Sequence, residues 1–344
     1  MMRKRKRSTA DVLADPFGES ALGSLRSRFY VLGMDLEVET RSPELLSIAD
    51  AAYAGLPAHR FGATAGGRIG LAWTSQSPRA SGKEPTPLEF FSVAGGLCAT
   101  GEGATFVNVT PASRSAVVAA SPRYRQFPYH LRYELIELAG YLLAARTLGL
   151  VPLHAACVSY GGHAALLMGS SGSGKSTATL HCVADGFDFV AEDSVLVEPR
   201  SAQATGLANY LHLRADSVRH LEDEPSLREA LRASPLIRRR SGVAKLEIDM
   251  RKGSFRLALR PPRIVAIVFL STRSAAGGPL LLAQRKQATA RRLRLEQPYA
   301  ARQPGWADFV TRMQSMESFE LRRGRHPREA AEALRALLGR AKRR

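Results

Sequence analysis

Residues 163–177, HAALLMGSSGSGKST, restrict this chain more than any other stretch. Gly169, Ser170, Ser171, Gly172, Ser173, Gly174, Lys175 and Ser176 satisfy G-x-x-x-x-G-K-[ST] at every fixed position, and Thr177 comes next. Such a loop is useful only between a strand that delivers it and a helix that leaves it. The apolar run AALLM at 164–168 supplies the first, and a helical pattern from about Lys175 to Ala184 supplies the second. Glycines allow successive backbone N–H groups to curl around an anion in conformations that a Cβ opposes. The helix then points its positive end at the same anion. On this reading residues 169–177 hold the phosphates of ATP or GTP. Lys175 reaches the β- and γ-phosphates, and the Ser176 hydroxyl holds Mg²⁺.

A loop of this kind needs an acid at the end of a neighbouring strand. FDFVAED offers two, Glu192 and Asp193, the first seventeen residues after Lys175. Several classes that share the loop are excluded by the residues downstream of it. No LSGGQ-like stretch and no apolar run ending in Asp-Glu comes after residue 176, as a transporter ATPase requires. No NKxD-type guanine motif is present, and no later acidic strand with a sensor arginine.

Periodicity divides the remainder. Residues 1–25, with RKRKR at 3–7, read as a loose basic tail. Between 26 and 128 short apolar runs, several with period two, are split by Gly, Pro and Ser. They predict a β-rich α+β module for substrate docking or scaffolding. At 129–149 the period changes: Leu131, Leu135, Leu138, Leu142 and Ala145 recur at helical spacing. Strands are expected at 153–159, 164–168, 187–191 and 194–198, then in ANYLHLR, AKLEIDM, FRLALR and RIVAIVFLS. HPREAAEALRALLGRAKRR, with proline at a first-turn position, predicts a closing helix. Residues 129–344 thus read as an α/β domain with a mixed sheet.

Lys and Arg number 49 against 31 Asp and Glu, a formal charge of +18 that favours acidic partners such as nucleotides or an acidic peptide. The arginines are dispersed and no basic stretch is interleaved with aromatics, so nucleic acid is not an expected partner. The three cysteines, Cys98, Cys157 and Cys182, have neither disulfide-framework nor zinc-ligand spacing, which suits a reducing cytoplasm. No secretory signal is expected at the basic start. The longest apolar stretch, ELAGYLLAARTLGLVPLHAACV, is broken by Arg146, Pro152 and His154, so no membrane helix is expected. A homo-oligomer is compatible with the sequence.

LHAACVSYGGHAALLMGSSGSGKSTATL and FVAED together resemble the C-terminal domain of HPr serine kinase/phosphorylase, which is related to the nucleotide site of ATP-dependent phosphoenolpyruvate carboxykinase. The resemblance extends through YLHLRADSVR, SGVAKLEIDM and PPRIVAIVFLSTR, roughly residues 150–272. It implies a P-loop kinase with His154 near the phosphates, Glu192 where the family keeps its proton-accepting Asp, and Asp193 as a metal-facing neighbour beside Ser176. Arg214 and Lys245 become candidates for offsetting transition-state charge. Glu replaces Asp at 192, and the His212-Leu-Arg stretch lacks the acid that the family places before its Arg. The N-terminal half differs from that of a phosphocarrier kinase. A closer resemblance is to HPr-kinase-like proteins of peptide-modification clusters, including lasso-peptide clusters, which implies a Ser hydroxyl on a precursor peptide or small protein as acceptor. Action on a phosphocarrier protein, and a nucleotide-binding regulatory module without turnover, are the alternatives.

Overall fold

From Leu25 to Ala120 the chain lays down one twisted sheet. Its strands are β1 (Leu25–Val31), β2 (Met34–Thr40), β3 (Ala65–Trp73), β4 (Glu89–Val93), β5 (Gly96–Thr100), β6 (Phe106–Thr110) and β7 (Ser115–Ala120), in the order β1-β2-β3-β7-β6-β5-β4. β3 runs parallel to both β2 and β7, and the other pairs are antiparallel. The parallel β2–β3 pair needs a crossover, which α1 (Pro43–Tyr53) provides. The local signal for this helix is Ser42-Pro43-Glu44: the Ser42 hydroxyl accepts a bond from the Leu45 amide at 3.3 Å, and proline occupies the first turn. This computed structural model describes residues 23–62, 65–75, 84–221, 225–240 and 242–341. Of the expected tail 1–25, residues 1–22 lie outside the described residues, and Leu25 opens β1.

A helix over 128–147 covers the same sheet. It begins as α2 (Pro128–His130), continues as a π-helical segment (Leu131–Glu137) and ends as α3 (Leu138–Thr147). The π segment has a consequence for packing. Each π turn takes in more than the α-helix's 3.6 residues, so the buried row advances from the expected Leu138 and Leu142 to Ala139 and Leu143. These residues and Leu131 and Leu135 pack with Val38, Ile69 and Val118. The helix expected to open the 129–344 unit therefore shares its core with the preceding sheet.

The remaining chain forms a mixed α/β layer structure. Its strands are β8 (Val151–Leu153), β9 (Ala156–Tyr160), β10 (His163–Met168), β11 (Asp188–Ala191), β12 (Val195–Val197), β13 (Ala204–Gly206), β14 (Tyr210–Arg214), β15 (Leu236–Arg238), β16 (Ala244–Asp249), β17 (Arg263–Ser274), β18 (Leu281–Ala283) and β19 (Glu317–Arg323). Its helices are α4 (Lys175–Ala184), α5 (Pro225–Arg232), α6 (Lys286–Glu296), α7 (Trp306–Gln314) and α8 (Arg328–Ala341). The central sheet has the order β11-β9-β10-β17-β19-β18, and two small sheets, β13-β12-β8 and β14-β16-β15, flank it. Alternate residues of β10 enter different cores. Leu166 and Met168 join Phe269, Phe309 and Met313; Ala165 and Leu167 join Ala178, Cys182 and Leu334. A strand covered on both faces has to be apolar throughout, which accounts for AALLM. FRLALR, expected as a strand, makes only a single bridge, Phe189 to Leu257.

Candidate functional site

β10 and β11 are each antiparallel to β9, so they run in the same direction and their carboxyl ends reach the same edge of the sheet. That edge carries the glycine loop after Met168 and the acid pair after Ala191. In open α/β sheets, ligand crevices form at such strand ends. Gly169 and Gly174 hold φ angles of +147° and +106°, which side-chain-bearing residues rarely adopt. A Cβ at Gly169 would also lie 2.6 Å from the Ser173 hydroxyl. α4 begins at Lys175, directly after Gly174, and the Lys175 ammonium folds back into the loop onto the Gly169 carbonyl at 2.6 Å. Ser170 and Ser171 are exposed at the rim. The Ser173 hydroxyl is buried without a partner among the described residues, whereas Thr177 turns toward Ser217, 3.4 Å away.

Ser176 and Glu192 connect the two strand ends: the Ser176 hydroxyl donates to Glu192 Oε1. The other Glu192 oxygen faces the amide and the ring of His212, each at 3.4 Å. His212 in turn donates through Nε2 to Glu247 Oε1 at 3.1 Å, its cross-strand partner on β16. Glu247 accepts from Arg132, whose other nitrogen meets Glu137 at 2.5 Å. The π segment explains that last contact, since its i→i+5 pattern brings residues five apart, such as 132 and 137, onto one face. All five ionisable residues of this chain are buried. Burial works against the charged form of His212, but hydrogen bonds to Glu192 and Glu247 outweigh it and raise its pKa above 6.5. For Glu247, burial pushes the carboxyl up, and the bonds from His212 and Arg132 bring it below its ordinary 4.5.

Asp193 lies beside this chain and has a different partner. Its carboxylate is partly accessible and meets Arg239 at 2.9 Å. Burial would raise the Asp193 carboxyl; Arg239, with help from His154, holds it below 3.8 instead. The Arg239 guanidinium lies over the Tyr133 ring, 5.0 Å from its centroid, and its Nε has no partner among the described residues. Lys245 is half-buried and lies within the electrostatic reach of Glu192, Asp193 and Lys175; burial lowers its pKa against the pull of Glu192. Arg214 is the cross-strand partner of Lys245, and by strand alternation it shares a face with His212. Its side chain is exposed, 3.4 Å from Asp216.

His154 departs from the expected strand at 153–159. It sits in a bend where β8 joins the sheet of β12 while β9 joins that of β10. The buried side chain of Gln297 clamps both the His154 amide and carbonyl, at 2.8 and 2.9 Å. The His154 ring is solvent-accessible, yet the crowded cleft around it lowers its pKa, with Asp193 pulling the other way. His154, Glu192, Asp193 and Lys245 thus gather around the glycine loop, and Arg214 stands at the margin.

Residue type alone does not mark Arg239, Glu247, Arg132 or Gln297 as site residues. For Arg132 and Glu137, a signal was present: charged residues interrupt an otherwise apolar helical face. Arg239 is one of three consecutive arginines, Arg238, Arg239 and Arg240, and nothing local singles it out.

Donor atoms of Glu192, Asp193 and His212 lie within 4.8 Å of one another. Both His212 nitrogens face carboxylates, which leaves the oxygens of Ser176, Glu192 and Asp193. An all-oxygen set suits Mg²⁺. Among the described residues, no helix is long and apolar enough to cross a membrane.

No protein family and no curated protein matches the sequence. Among solved structures, the HPr(Ser) kinase/phosphatase from Coxiella burnetii aligns with 56% of this chain and 98% of its own. The TM-score is 0.29 and the identity 14%, a likeness too slight to bear on fold or chemistry.

Proposed function

We propose that the chain is a Mg²⁺- and nucleotide-dependent kinase that transfers the γ-phosphoryl group of ATP or GTP to a serine hydroxyl of a peptide or small protein. One observation carries this reading: the Ser176 hydroxyl at the head of α4 bonds to Glu192 from the neighbouring strand end. Loop and acid are joined where a phosphate-bound metal has to be held. Loop N–H groups, the start of α4 and Lys175 hold the phosphates. Ser176 and Glu192 would hold Mg²⁺, which on binding would neutralise charge on the phosphate oxygens.

The roles of the two acids derive from their surroundings. Glu192 is engaged by Ser176 and His212 and is inaccessible, so it is assigned to the metal, in place of the proton-accepting role implied by the resemblance. Asp193 is ionised and partly open, so it accepts the proton of the incoming hydroxyl. The serine oxygen forms its bond to the γ-phosphorus as the bond to the β-phosphate bridging oxygen breaks. Nucleoside diphosphate leaves with that electron pair. Arg239 and Lys245 offset the developing charge, and His154 orients the phosphates.

Purified protein incubated with Mg²⁺, ATP or GTP and serine peptides is expected to yield phosphopeptide by mass spectrometry. Asp193→Asn should lower the rate about 10²–10⁴-fold while leaving nucleotide affinity in place. Nucleotide binding without any phosphopeptide would overturn the kinase reading and leave a nucleotide-binding regulatory module.

A further inference from the structure

Beside the acid pair lies a cavity of about 370 Å³ that no step above uses. Its walls are Leu88, Phe90, Leu138, Tyr141 and Leu207, with the Tyr133 ring at one side. Ser194, the residue after Asp193, lines the same cavity. Its charged lining groups are already matched. Glu134 takes Arg240 Nε at 2.7 Å, and Glu137 is held by Arg132 at 2.5 Å and Asn209 at 2.8 Å. A charged occupant would have no unmatched partner to meet, while a neutral apolar one would lose nothing but water. At its rim, Phe90 of the edge strand β4 is 66% exposed, a large aromatic that projects next to the opening.

We infer that this cavity selects the acceptor: it takes one large aromatic or aliphatic side chain of an extended peptide, adjacent to the serine that is phosphorylated. The inference rests on the kinase reading for the serine, and on the cavity alone for the apolar side chain. Its volume falls in the range that encloses a small organic group. Ser194, on the cavity wall, follows Asp193 directly in the chain, so the residue held in the cavity is taken to be a near neighbour of the serine whose hydroxyl reaches Asp193.

The test uses an array of glycine-rich octapeptides, each with one serine and a Phe, Leu, Ala, Asp or Lys one or two residues away. Retention on the full-length protein with Mg²⁺ and a non-hydrolysable ATP analogue is read separately from phosphate incorporation with ATP. Phe and Leu peptides are expected to be retained about 10–200-fold better than Asp, Lys or Ala peptides. Leu138→Trp, which fills the cavity, should bring that ratio towards one. Phe90→Ala, on an exposed rim residue that the fold tolerates, should lower it as well. Retention with this pattern but no phosphate incorporation would sink the kinase reading and leave the cavity's selectivity standing. Equal retention of all peptides, or a ratio unchanged in both variants, would overturn the inference. So would self-association by sedimentation that Leu138→Trp abolishes without altering peptide retention, since the occupant would then be a second copy of the chain.

Discussion

Along the outer strands of the seven-stranded sheet, the arginines stay in water. Arg28 pairs with Glu37 across β1 and β2 at 3.3 Å with the arginine side chain 71% exposed, and Arg26 and Arg68 gather loosely around the same acid. Behind the glycine loop the arrangement is reversed. Arg132, Glu137, Glu247, His212 and Glu192 form a continuous buried chain that ends on Ser176. The first region is held by apolar area, with Val38, Ile69, Val109 and Val118 fully covered. In the second, each charge is tolerable only because of the next one. A sheet can lose a surface pair at little cost, whereas a buried chain that loses one member leaves its neighbours uncompensated. Charges that are costly to bury, at one end of a candidate catalytic centre, point to positioning rather than to stability as their use.

The strongest way to break this contrast is Arg132→Met. Among the described residues, the substitution removes the only cation that Glu137 meets as an ion pair, and one of two that Glu247 meets. Stability measured by urea denaturation should fall by about 3–5 kcal/mol. Adding Glu137→Gln and Glu247→Gln should restore part of it, because the stranded charges are then gone. A loss under about 1 kcal/mol would mean that the chain is solvated and the contrast false.

A smaller effect distinguishes the chain by pH. His212 has a raised pKa, so between pH 6.5 and that raised value the folded state keeps a proton that the unfolded chain has lost. Its contribution is therefore complete below pH 6.5 and declines as pH rises through the folded value. Glu247, shifted down, contributes fully above 4.5 and loses its share as pH falls. The difference in Tm between the wild type and His212→Gln should be greatest near pH 5–6.5 and narrow as pH rises through the folded value. At its maximum it should correspond to about 1.5–3 kcal/mol, the usual worth of hydrogen bonds to charged groups. A difference independent of pH would show that the ring is neutral, and the link between Glu247 and Glu192 would lose its charge.

Both regions were legible in the sequence to the extent that their structure is local. The glycine loop, the strand before it and α4 are contiguous, and the motif requires that order. The strands of the first sheet show in period-two runs such as RFYVLGMDLEVET, now β1 and β2. What could not be read is what joins distant segments. Arg132 and Glu247 lie 115 residues apart, and Asp193 and Arg239 lie 46 apart; no spacing rule links them. The π segment also misled a 3.6-residue count, because it shifts the buried row from Leu138 to Ala139. The break at His154 depends on Gln297, whose clamp comes from the far end of α6. Periodicity reports which face is covered; it cannot report which charges are covered together.

The smallest expected effect tests the other side of the contrast. Arg28 and Glu37 are directly opposed on antiparallel strands, the geometry in which cross-strand pairs interact most closely. Water nevertheless competes for the exposed guanidinium, and holding a long side chain in one geometry costs rotamer entropy. Glu37 also keeps Arg26 and Arg68 nearby after Arg28 is gone, so its charge is not stranded. Arg28→Ala should therefore change stability by no more than about 1 kcal/mol, and the change should shrink further in high salt. If instead the loss matched that of Arg132→Met and persisted in salt, charge would bear as much on the first sheet as on the second region. The buried chain would then be no sign of a site.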